Sequence, residues 1–127
     1  MYFFWSKDFT DLSLAEVLDF AALESEFQEQ GAQLLGCSVE SEQAHLSWRE
    51  QEAGLRDVSV PMLSDFQRVL CADRGILDEN EGTAQRTTFI VDPQSIIRFV
   101  YVTDRNVSRD PGEGLRVLAD LRAGPFA

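Results

Sequence analysis

The chain has 127 residues, 44% hydrophobic and 26% charged, enough for one compact domain that buries roughly two-thirds of its unfolded surface. Its formal net charge of −11 argues against nucleic acid or an anionic membrane as partner, since both are bound through basic patches. No apolar run reaches the length of a membrane span and no signal-peptide pattern follows Met1, so a soluble, cytoplasmic chain is expected.

Tyr2-Phe3-Phe4-Trp5 is an aromatic run without polar alternation and predicts a strand buried on both faces. Ser6-Lys7-Asp8 breaks it, and Leu14, Val17, Leu18 and Ala21 then recur at helical spacing. They predict a first helix from about Leu12 to Gln30, with Asp11 or Ser13 as N-cap and Gly31 as stop. A buried strand feeding a helix sets the helix N-terminus beside the carboxyl end of the sheet, where free N–H groups attract anions.

Ala32 to Val39 reads as a second buried strand with a small-residue kink, Cys37 serving as a small core hydrophobe. Ser41 caps a second helix that carries His45 and Trp48 to about Ala53, with Gly54 as stop. Val60 to Asp65 reads as a loop before a third helix, Phe66 to Arg74, capped by Asp65, stopped by Gly75 and carrying Cys71 in a core or boundary role. Thr87 to Val91 is a strand, Asp92-Pro93-Gln94-Ser95 a turn and Ile96 to Val102 the hairpin partner. Asp110, Pro111 and Glu113 supply cap, first-turn proline and capping-box acid for a last helix to about Arg122, with Leu115, Val117, Leu118 and Leu121 on its buried face.

Cys37 and Cys71 form no C-x-x-C pair; their number allows a disulfide, but a cytosolic chain keeps such thiols reduced. One histidine and two scattered cysteines make no ligand spacing, so neither metal nor cofactor is expected, and His45 reads as a hydrogen-bonded helix residue.

Several stretches together resemble the peroxiredoxin family, in its typical two-cysteine, alkyl hydroperoxide reductase C type. Lys7, Asp8, Phe9, Thr10 and Glu16 fit the active-site segment Pro-x-x-x-Thr-x-x-Cys-Pro-Thr-Glu that follows an aromatic strand in that family. Gly36-Cys37-Ser38-Val39-Glu40-Ser41 with His45 and Trp48 is similar to its G-x-S-x-D-S...H-x-x-W, and Val60-Pro61-Met62-Leu63-Ser64-Asp65 to the loop that follows. Glu81-Gly82 with Arg86, Phe89, Ile90 and Asp92 matches E-G-x-x-x-R-x-x-F-I-[IV]-D. The resemblance runs from Tyr2 to about Leu121 and implies an α/β, thioredoxin-like fold: one domain over residues 1–127, a central mixed sheet with helices on both faces. Relative to the family the chain is shortened at both ends, as an excerpt or a shortened relative, without the tail that carries the resolving cysteine.

The family reduces peroxides by thiolate attack on a peroxide oxygen, and the resemblance implies a site of Thr10, Glu16, Arg86 and Arg109 around the nucleophile, with Glu16 and Arg109 linked in a charge network. The family cysteine falls on Ser13, the proline before it on Ser6 and the Pro-Thr after it on Leu14-Ala15. A serine hydroxyl is not ionised at neutral pH without a dedicated base, and the sulfenic acid route has no oxygen counterpart. G-x-S-x-G is absent and the single histidine lies on another helix, so Ser13 is not read as an acyl-transfer nucleophile either. Asp11 adds a carboxylate where the family has an apolar residue. The expectation is a peroxiredoxin-like pseudoenzyme that binds a small anionic or peroxide ligand, or assembles. The alternatives are a thiol peroxidase acting through Cys37 or Cys71, and a structural module that forms a homodimer or higher oligomer through the strand Ile96 to Val102.

Overall fold

Phe3 and Trp5 pack into one core and Phe4 into another, so the first strand, β1 (Tyr2–Phe4), is covered on both sides as its aromatic composition predicts. The computed structural model describes residues 1–104 and 107–124. In chain order β1 is followed by α1 (Asp11–Ala22), α2 (Glu24–Glu29), β2 (Leu35–Ser38), α3 (Glu42–Gln51), β3 (Met62–Ser64) and α4 (Val69–Asp73). Then come β4 (Leu77–Asp78), β5 (Thr83–Ala84), β6 (Thr87–Val91), β7 (Ile97–Val102) and α5 (Pro111–Ala123).

The central sheet has the order β3-β2-β1-β6-β7. β1, β2 and β3 are parallel, while β6 runs antiparallel to β1 and to β7, which makes the sheet mixed. Residues of α1, α2, α3 and α5 (Val17, Phe20, Phe27, Trp48 and Val117) share one core with Phe3 and Trp5. Cys71 of α4 joins Phe4, Cys37 and Phe89 in the other, so helices cover both faces. Phe20 stacks on Phe3 with ring centroids 4.1 Å apart and so fixes α1 against the sheet. Gly36 explains the small-residue kink of β2: a Cβ there would stand 2.5 Å from Trp5 Cζ3, so the indole lies across the strand because no side chain opposes it.

Five expected boundaries move, each for a local reason. The first helix is two, broken at Leu23; the bend lets Phe20 and Phe27, one on each segment, both reach the core fully buried. Its N-cap is Thr10 rather than Asp11 or Ser13, because Thr10 is the residue with extended backbone and its Oγ1 accepts from Ser13 N at 3.1 Å. The second helix stops at Gln51, and Gly54 lies inside a 3₁₀ turn, Ala53–Leu55, that buries Leu55. Met62–Ser64, expected as loop, is a strand pairing in parallel with β2. The third helix is reduced to α4, since Arg68 before it has φ +62; Asp65 still caps it, its two carboxylate oxygens accepting from Leu70 N and Cys71 N at 3.0 and 2.8 Å.

The β4–β5 ribbon was not anticipated; two-residue strands are too short to show a period. The hairpin and the last helix form where expected, with Asp110 as cap and Pro111 in the first turn. Glu113, however, pairs with Arg116 at 2.6 Å instead of closing a capping box. No helix among the described residues is long and apolar enough to cross a membrane.

Candidate functional site

The loop between β1 and α1 is held from below by Asp8, which is 5% exposed. Trp5 Nε1 donates to Asp8 Oδ1 at 2.7 Å, Ser38 Oγ donates to the same oxygen at 3.1 Å, and His45 Nδ1 lies 2.5 Å from Oδ2. Phe9 follows with φ +63, a left-handed conformation that a bulky residue rarely adopts, and Thr10 then caps α1. This anchored reversal delivers Ser13 to the first turn of α1, 1% exposed, with the positive end of the helix dipole around it.

One turn further on, Glu16 is clamped by two arginines that arrive from distant parts of the chain. Arg86, from the segment between β5 and β6, donates through Nε to Glu16 Oε1 at 2.9 Å and through Nη2 to Oε2 at 3.1 Å. Arg109, from the segment before α5, donates through Nε to Glu16 Oε2 at 2.5 Å. Its other nitrogens reach Thr87 O, Thr88 Oγ1 and Phe4 O at 3.2, 3.3 and 2.7 Å, and its guanidinium lies 5.5 Å from the Phe20 ring centroid. The Arg86, Arg109 and Glu16 side chains are 4%, 0% and 5% exposed. Among the described residues, two cations bond this one carboxylate, a surplus of positive charge within one helical turn of Ser13 in a medium where charge is poorly screened.

A cleft of about 490 Å³ opens beside this cluster, lined by Lys7, Leu12 and Arg86 and by the acidic residues Asp78, Glu81 and Asp104. All five candidate residues read from the sequence therefore meet at one end of the sheet. Glu16, Arg86 and Arg109 meet by direct ion pairs, and Thr10 and Ser13 through the cap and the first turn of the same helix. Asp8 and His45 were missed as a pair. Each lay inside a matched motif, but residues 37 apart in sequence give no local sign that they touch.

The cysteines stand elsewhere. Cys37 and Cys71 are free, fully buried and share the other core. Burial, with the charge of Asp65 and the neighbouring thiol, pushes Cys37 up to about 12; burial and the Asp65 carboxylate push Cys71 up to about 11. At neutral pH the thiolate is then on the order of one part in ten thousand or less for either. Native protein at pH 8 should therefore resist iodoacetamide at both positions, with two alkylations appearing only on denaturation; mass spectrometry reads the count directly. Among the described residues no three His, Cys, Asp or Glu side chains are grouped to hold a metal ion.

A family profile described as the AhpC/TSA family matches residues 1–100. Alkyl hydroperoxide reductase C of Mycobacterium tuberculosis is 46% identical over 121 residues, 95% of this chain and 62% of the relative. Peroxiredoxin-2 of Sus scrofa is 37% identical over 119 residues, 91% of this chain and 94% of the relative. Among solved structures, Mycobacterium tuberculosis AhpC gives a TM-score of 0.89 at 44% identity, over 99% of this chain and 70% of that one. Enterococcus faecalis AhpC gives 0.93 at 28% identity, over 96% and 73%. The fold is thus the thioredoxin-like one of peroxiredoxins, and the chain spans 62% of the length of the mycobacterial relative.

Proposed function

The chain belongs to the AhpC/TSA family, and we propose that it is a peroxiredoxin-like member, acting as one cytoplasmic domain, that lacks thiol peroxidase activity. The observation that carries this reading is the buried serine, Ser13, at the head of α1 beside the Glu16–Arg86–Arg109 cluster, where the motif resemblance lays the family's reactive cysteine. Peroxide reduction of this kind needs a thiolate that attacks one peroxide oxygen, becomes a sulfenic acid and expels the other oxygen as water or alcohol. Oxygen at position 13 has no such oxidation step. The raised, buried thiols of Cys37 and Cys71 favour this reading over peroxidase chemistry through either of them.

The retained role would be to hold a small anion or an intact peroxide at the head of α1, by its free backbone N–H groups and Arg86. Purified chain incubated with hydrogen peroxide and a thiol reductant should consume no more peroxide than buffer. Turnover that thiol alkylation abolishes would sink the proposal.

A second reading, assembly, is favoured by the edge strand. β7 closes one side of the sheet order, and Ile97, Val100 and Val102 are 39%, 45% and 55% exposed along it. An apolar edge of this kind tends to pair with another strand, and the proposed partner is a second copy of β7. Light scattering at micromolar concentration should give twice the mass of one chain, and Val100→Lys should halve it. A strict monomer counts against this reading.

A further inference from the structure

We propose that His45 is a buried imidazolium, and that its clamp on Asp8 is the positioning element that holds the Lys7–Thr10 loop, and with it the head of α1, in place. The protonation state follows from what faces each nitrogen. Nε2 lies 3.0 Å from the carbonyl oxygen of Leu63, which can only accept, so Nε2 carries a proton. Nδ1 lies 2.5 Å from Asp8 Oδ2. The other carboxylate oxygen already accepts from Trp5 Nε1, which can only donate. It also accepts from Ser38 Oγ, whose own lone pair takes the Glu40 N–H at 3.2 Å. With two donors on Oδ1, Oδ2 is left to accept from the ring, so the second proton is placed on Nδ1.

The charged groups acting on the ring are Asp8, from the loop before α1, and Glu40, from the turn before α3; both are acidic. Burial disfavours the imidazolium, but the hydrogen bond and charge of Asp8, the Leu63 carbonyl and the charge of Glu40 outweigh it and raise His45 above its ordinary value.

The clamp is placed to position the loop rather than merely to fill space. His45 and Trp48 sit one turn apart on α3; one binds Asp8 and the other lies 6.3 Å, ring to ring, from Phe9. His45 thus holds the residue before the positive φ and Trp48 lies near the residue that has it, immediately before Thr10 caps α1 through Ser13 N. For a group raised on folding, the stabilisation is fully present below the unfolded value near 6.5 and is lost as pH rises through the folded value. The hold on the loop therefore weakens as pH rises through the folded value of the ring.

The inference asks nothing of a ligand or of turnover, so its test is independent of the proposed function. His45 is the only histidine in the chain, which makes its ring signals unambiguous in a uniformly ¹⁵N-labelled sample. At pH 7.5 an ordinary histidine is about one-tenth protonated; His45 should show both ring nitrogens protonated. On alkaline titration the Trp5 indole N–H and the Ser13 amide should shift with the same midpoint as the ring. Asp8→Asn should lower that midpoint by at least a pH unit. A neutral-tautomer signature at pH 7.5, or a Ser13 amide indifferent to the ring's deprotonation, would overturn the proposal, and the unsubstituted chain decides both points by itself.

Discussion

Ser13→Cys is expected to turn the chain into a thiol-dependent peroxide reductase. Two features favour a thiolate at this position. The first turn of α1 presents the positive end of its dipole, and Arg86 and Arg109 outnumber Glu16 by one charge a single turn away. Two features oppose it: the site is 1% exposed, which penalises an anion, and Asp11 places a carboxylate two residues before it. Asp11 is exposed and therefore screened by water, whereas the guanidinium pair is buried and screened little, so the stabilising side should win. A value near 7, typical of cysteines at helix N-termini beside arginine, gives roughly fifteen-fold more thiolate at pH 7 than a free cysteine. The ultraviolet absorbance of the thiolate against pH reads this value, and trapping of a sulfenic acid after one equivalent of peroxide reads the chemistry. A thiol that titrates at or above the free value, with no sulfenic acid, would show that Asp11, Leu14 and Ala15 have changed the site beyond its nucleophile. Asp11→Ala in the same background then tells whether the added carboxylate is the cause.

What could be read from the chain follows the range over which each feature is encoded. The aromatic strand was legible because burial on both faces is written into four consecutive residues. The cap of α1 was misplaced by up to three residues because Thr10, Asp11 and Ser13 all have capping side chains; the choice among them is made by Asp8, whose anchors lie on β1, β2 and α3 or next to them. β3 was hidden because it is three residues long and follows a proline, so its strand character comes from pairing with β2 and not from its own pattern. The Glu16–Arg86–Arg109 cluster joins residues 70 and 93 apart, which no local periodicity reveals. Motifs shared with a family brought it into view, with the charge link of Glu16 to Arg109, but not the two bonds that tie Arg86 to the same carboxylate. The Asp8–His45 pair shows that limit, since both members were matched and neither was joined to the other.

The cluster also carries the largest stability effect expected in the molecule. Glu16→Gln keeps the shape of the side chain but removes the one carboxylate that, among the described residues, bonds the two guanidinium groups, leaving two buried positive charges facing an amide that offers them its own donors. Removing one partner of a buried charge network costs about 3–5 kcal/mol, far more than the network adds when intact. In a domain of this size that is roughly a 10–20 °C fall in melting temperature. Arg86→Met should cost less, because Glu16 and Arg109 then remain as a balanced pair and, among the described residues, the Arg86 contact to Asp104 O is what is lost besides. The sign of the coupling is the decisive quantity. If Glu16 acts by neutralising two arginines, Glu16→Gln combined with Arg86→Met should be less destabilised than the sum of the single changes, since the second removes a charge the first left unpaired. Simple loss of packing would add or worsen. Calorimetry of the three variants at pH 7 distinguishes the outcomes. Arg109 should not rescue in the same way, because its guanidinium also donates to Phe4 O on β1 and Thr87 O on β6, and deleting it removes both ties to the sheet that supports the site.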